Sequence, residues 1–150
     1  MREARELRYL ILALQREGNR LFAAGLRPLG LTPSQAEVLS VLADHQSLTL
    51  SGLGELLVCD SGTNPSRLAE RLVAAGLVRR EPATTDRRQI LLSLTPEGAE
   101  LAKQVATVET ELEDELAELV GDKPIAGALD LLRSLAAPFP AGQALQRRRY

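Results

Sequence analysis

Arginine is the residue type in this chain whose number and spacing could do chemistry. Six arginines (Arg67, Arg71, Arg79, Arg80, Arg87 and Arg88) fall between residues 61 and 95 against three acids (Glu70, Glu81 and Asp86), a net of +3. A guanidinium is a planar, permanently charged fork of donors that matches phosphate oxygens and base edges, so this block reads as an anion-facing surface. The side chains that catalysis would need are scarce. His45 and Cys59 are each the single residue of their type, too few for a protein-built zinc site. No Ser-His-Asp set and no glycine-rich phosphate loop occurs. The expectation is a protein that is not an enzyme and holds neither cofactor nor metal.

The charge around that block is uneven. Residues 96–122 carry nine acids against Lys103, residues 32–60 carry four acids and no base, and residues 1–31 and 123–150 are net +3 and +4. The overall charge of −2 over 150 residues therefore conceals a basic patch beside an acidic one. A composition of 45% hydrophobic and 25% charged residues is that of one ordinary globular domain. A lone cysteine excludes an internal disulfide framework and suits a reducing compartment. No apolar run nears the ~20 residues of a membrane helix. The apolar stretch at 9–14, between charged flanks, does not read as a signal peptide. A cytoplasmic protein with no membrane partner is expected.

The elements that must position the arginines follow from periodicity. Leu7, Leu10, Ile11, Leu14, Gly18, Leu21 and Gly25 predict a helix over 5–27. Thr32-Pro33-Ser34-Gln35 predicts the start of a second, with a capping box and proline at its first position. Ala36, Val38, Leu39, Val41 and Leu42 make that helix apolar on most sides, hence central, and it should end near Asp44-His45. A short helix is expected over 51–58, weakened by Gly52 and Gly54. Another follows the small-polar turn 59–64, its start open between Ser61 and Asn64 and its end marked by Gly76. The period then drops to two: strands at 77–81 and 88–94 flank a polar loop at 82–87. Thr95-Pro96 opens a long helix whose stripe is Leu101, Val105, Val108, Leu112, Leu116 and Leu119. A last helix spans about 125–136, stopped by Pro138 and Pro140, with a mobile tail ending in Arg147, Arg148 and Arg149.

This order predicts a mainly α fold with a small β-hairpin wing: a winged helix-turn-helix over about 32–98, flanked by dimerisation helices at about 5–27 and 96–137, with a tail at 138–150. An α-helix fits the DNA major groove, and an arginine-tipped hairpin suits the electronegative minor groove. The expected DNA contacts are Ser61, Gly62, Thr63, Asn64, Ser66, Arg67 and Arg71 on the reading helix, and Arg87 and Arg88 on the wing. The terminal stripes exceed what the central lobe can cover, so they are assigned to a homodimer that spaces two reading helices over an inverted repeat. Cys59, at the end of an apolar helix, is expected to be a small buried hydrophobe. His45 is expected to interact with a helix C-terminus.

At this point the sequence resembles the MarR family of bacterial transcriptional regulators. The resemblance is carried by S-R-L-x-x-R-L-x-x-x-G-L-V at 66–78, Asp86-Arg87-Arg88, and Leu92-Ser93-Leu94-Thr95-Pro96-Glu97-Gly98. It implies a homodimer on a pseudo-palindromic double-stranded site, usually a repressor, released by a small aromatic or phenolic effector or by cysteine oxidation. Asp86 would orient the wing arginine, and the first helix has no cysteine of the kind the family's peroxide sensors carry there. For an effector lodged between the dimer helices and the lobe, Leu14, Phe22 and Leu39 are the candidate lining. The alternative reading is a winged-helix dimer that binds proteins without reading DNA.

Overall fold

A computed structural model describes residues 2–59 and 64–148. The chain opens with α1 (Arg2–Leu26), which runs through a single 3-10 turn (Arg27–Leu29) to Gly30, held at φ 69°. That left-handed value is open to glycine at no steric cost, and it turns the chain into the central helix α2 (Pro33–Ala43). The expected capping box forms. Thr32 Oγ1 accepts from the Gln35 amide at 3.3 Å and Gln35 Oε1 accepts from the Thr32 amide at 3.0 Å. Apolar on most sides, α2 buries Ala36, Val38, Leu39, Val41 and Leu42, and packs against α1, α4, β3 and α5.

Next come β1 (Leu48–Thr49), α3 (Leu50–Gly54) and α4 (Pro65–Ala74). Then β2 (Val78–Pro82), β3 (Ile90–Leu94) and α5 (Pro96–Val120) complete the lobe. The sheet has three antiparallel strands in the order β1-β3-β2, pairing Leu48 with Leu92 and Val78 with Leu94. The third strand goes beyond the expected hairpin, because two residues are too few to show a period. The short helix α3 stops at Gly54, not at Val58. Downstream of it the amides of Val58 and Cys59 turn instead to the carboxylate of Glu37 on α2.

The first half of α5 is fixed to the lobe through Ala102 and Val105, with Leu101 and Val108 packed alongside. Its second half projects: Leu116 and Leu119 remain 57% and 77% exposed. On α1, Leu10 and Leu14 are uncovered in the same way, as are Leu129, Leu132 and Leu135 on α6 (Ala126–Ala136). The predicted mobile tail is corrected by α7 (Pro140–Arg148). Pro138 and Pro140 do end α6, but proline also suits the first turn of a helix, where its missing N–H costs nothing. Here Pro140 starts one. On α7, Ala144 and Gly142 are buried.

Candidate nucleic-acid interface

The geometry of α4 begins with its cap. Asn64 Oδ1 accepts from the Arg67 amide at 2.9 Å, Asn64 itself is extended (φ −68°, ψ 157°), and Pro65 occupies the first turn. This resolves the start of the helix at Pro65. Leu68, Ala69 and Leu72 face the core, and Leu72 is fully buried. Ser66, Arg67, Glu70 and Arg71 are exposed on the other side. Asn64, one of the expected DNA contacts, spends its carbonyl on the cap and keeps its amide group as a donor. Ser61, Gly62 and Thr63 lie outside the described residues.

The wing is closed by local hydrogen bonds. The Ala83 amide donates to the Gln89 carbonyl at 2.8 Å and the Gln89 amide to the Asp86 carbonyl at 3.0 Å. Asp86 Oδ1 accepts the backbone amide of Arg88 at 3.0 Å. Asp86 thus shapes the turn through its own backbone neighbourhood, as aspartates in turns do, by holding the Arg88 amide. Arg87 and Arg88 are exposed at this tip. Arg79 faces Glu81 across 3.5 Å, an exposed pair worth little.

The wing and α4 are joined through Thr95. Its hydroxyl donates to the Gly76 carbonyl at 2.6 Å and accepts from the Gly98 amide at 3.0 Å, while its own amide donates to the Leu77 carbonyl at 3.1 Å. Gly76 (φ 75°) closes α4, Leu77 leads into β2, and Gly98 lies in the first turn of α5. One residue, through its hydroxyl and its amide, therefore ties the end of α4, the lead into β2 and the start of α5 together. The Leu-Thr-Pro-Glu-Gly run is a fastening.

The effector candidates do not converge. Leu39 is fully buried in the core, Leu14 is 72% exposed on α1, and Phe22 lines a shallow groove of about 90 Å³ shared with Leu21, Gly25 and Val108. A larger recess of about 380 Å³ lies where the end of α2 and β3 meet α5, lined by Leu42, His45, Leu94, Ala102 and Lys103 among others. His45 Nδ1 sits 2.8 Å from the Val41 carbonyl at the end of α2, in keeping with a helix-end contact.

Cys59 is corrected as well: it lies at the surface, not in the core. Partial burial of the thiol and the neighbouring Glu37 carboxylate, which also accepts its hydrogen bond, push its pKa up to about 11. The acid responsible is Glu37, 22 positions away in sequence. Glu37 itself, buried in α2, was missed. The available signal was a lone carboxylate inside the apolar run 36–42, which must either break the buried face or find partners within it. On α5, Glu109 accepts from Ser40 at 3.1 Å, and burial raises its pKa above the ordinary value, helped by Glu113 and Asp44. Among the described residues no cluster of histidine, cysteine or carboxylates could hold a metal, and no helix is long and apolar enough to cross a membrane.

Comparison with known proteins agrees with this architecture. Residues 29–89 match the model of the MarR family. The chain is 33% identical over 108 residues to the organic hydroperoxide resistance transcriptional regulator of Bacillus subtilis, covering 72% of this chain and 73% of that protein. It is also 33% identical over 95 residues to the multiple antibiotic resistance protein MarR of Salmonella typhimurium, 63% of this chain and 65% of that one. The crystal structure of a cysteine-to-serine mutant of MarR from E. coli, complexed with operator DNA, superposes with a TM-score of 0.77 at 30% identity, over 89% of this chain and 95% of that one. Helix order, winged sheet and sequence together place this chain in the MarR family of transcriptional regulators.

Proposed function

We propose that the protein is a homodimeric repressor that binds double-stranded DNA, laying α4 in the major groove and the wing along the minor groove. The observation that carries this is the fastened unit of α4 and wing, whose outward side chains are Ser66, Arg67 and Arg71 on the helix and Arg87 and Arg88 at the tip. Base contacts from α4 would each give roughly 1–3 kcal/mol of discrimination, and wing arginines would add phosphate contacts that weaken with salt. The uncovered apolar side chains of α1, distal α5 and α6 supply the dimer interface. The two-fold axis then sets the reading helices about 34 Å apart on an inverted repeat.

Release by a small aromatic or phenolic effector fits the recess between α2, β3 and α5, where Lys103, 3.6 Å from Glu100, offers an ammonium beside an apolar wall. The test is fluorescence anisotropy on the DNA immediately upstream of the gene, titrated with salt from 50 to 200 mM. Arg67→Ala and Arg88→Ala should each weaken binding at least severalfold, and Arg88→Ala should flatten the salt dependence. Wild-type affinity in both variants overturns the proposal. A partner bound without steep salt dependence would favour a protein-interaction module.

A further inference from the structure

The carboxyl-terminal helix ends on the helix-turn-helix. Arg148 Nη2 stands 2.7 Å from Glu37 Oε2, and Arg148 Nε donates to the Leu56 carbonyl at 2.7 Å. Next to it, Arg147 Nη1 donates to the Glu55 carbonyl at 3.1 Å. Both carbonyls follow directly after α3, a helix of only five residues. Glu37 then works in the other direction. Its carboxylate takes the amides of Val58 (3.0 and 3.1 Å) and Cys59 (2.9 and 3.2 Å), the last described residues before the cap of α4.

The ion pair is well removed from water: the side chains of Arg148 and Glu37 are 18% and 8% exposed. A carboxylate in that setting is tolerated while its charge is met by a guanidinium and its oxygens by donors. Remove the cation and the cheaper state is a carboxylate rotated to solvent, which loosens its hold on the two amides.

Resting on the proposed role of α4 in DNA binding, we infer that Arg148 is a positioning residue for that role. Through Glu37 it fixes Val58 and Cys59, on the approach to the reading helix, while touching no DNA itself. Arg148, 111 residues beyond Glu37 in sequence, is thereby part of the reading apparatus. A protein whose entry segment is released must reorder it on binding, and apparent affinity falls by the fraction of molecules already in the competent arrangement.

The test uses the full chain with Arg148→Met, Glu37→Gln and the double variant. Two readouts apply: anisotropy on the upstream DNA across a salt series, and amide hydrogen exchange resolved to Val58 and Cys59. Arg148→Met should raise Kd about tenfold with the salt slope unchanged, whereas a lost phosphate contact lowers the slope by about one. Protection should fall at Val58 and Cys59 while the core amides of α2 keep theirs, which separates local release from unfolding. The double variant should bind more tightly than Arg148→Met alone, because the glutamine oxygen can still accept from the amides and no buried charge is left unbalanced. Wild-type affinity in Arg148→Met, a slope change equal to that of Arg88→Ala, or unaltered exchange at Val58 and Cys59 each overturns the inference. If the wild-type chain binds no DNA, the proposed function fails, and the exchange arm still decides whether Arg148 holds the segment.

Discussion

Replacing Gly98 by alanine sets two effects of opposite sign against each other. Alanine is the better helix former, by at most about 1 kcal/mol, and Gly98 lies in the first turn of α5. Against this, a methyl built on Gly98 would lie 2.9 Å from the Leu77 carbonyl carbon and 3.3 Å from its Cα, with the carbonyl oxygen closer still. These are backbone atoms, so no side-chain rotation relieves the clash. The start of α5 must lift from the base of the wing. Overpacking of this kind costs about 1–3 kcal/mol. The lift also strains the bond from the Thr95 amide to the Leu77 carbonyl, worth about 1 kcal/mol. The balance is a net loss of about 1–3 kcal/mol. Urea unfolding should show it as a lower midpoint at constant slope. Thermal unfolding should show a Tm about 2–12 °C lower for a domain of this size. Gly127→Ala on α6, where a methyl meets open space, is the control and should be neutral or stabilising. A Gly98→Ala protein as stable as the wild type would refute the argument that the glycine exists to let Leu77 pass.

Three further outcomes are expected. Asn64→Ala removes the cap of α4 and should cost about 1 kcal/mol in chemical denaturation, with weaker amide protection confined to the first turn of that helix. With its pKa raised from 9.0 to about 11, Cys59 should alkylate slowly at pH 7 and accelerate about tenfold per pH unit without a plateau below pH 10. The associated stability is fully present below about pH 9 and is lost as pH climbs through 11, because the folded chain favours the protonated thiol. A plateau near pH 8 would contradict the placement of Glu37. Finally, Leu116→Glu combined with Leu119→Glu should give a monomer by light scattering while leaving the lobe folded, since both side chains are exposed within one chain. A mass unchanged from a wild-type dimer would remove distal α5 from the interface.

The sequence was most informative where one local rule acts alone. The capping box at Thr32 and Gln35, the left-handed Gly76 at the end of α4 and the Thr-Pro start of α5 each depend on neighbours within a turn or two, and each is found where the spacing puts it. What escaped depends on distant partners. Strand β1 exists because Leu48 and Thr49 meet β3, some forty residues on. Helix α7 begins at the second of two prolines that mark an end as readily as a beginning, and its charged terminus is held by groups on α2 and after α3. Cys59 ends an apolar run yet lies at the surface, since the backbone there follows a carboxylate in place of the helix. The three effector candidates shared a sequence character, apolar residues near the helix junctions, but packing dispersed them between core and solvent.

The fastening at Thr95 has a mechanical consequence. At 25 residues α5 is a rod of about 37 Å, and the hydroxyl that joins it to Gly76 leaves little play at the lobe end. A tilt of about 5° at the far tip, where Leu119 stands clear, therefore swings the base of the wing by about 3 Å. That sweep exceeds the tolerance of a hydrogen bond. In the proposed dimer, anything that reseats the tips against each other would thus retune how far apart the two lobes can grip.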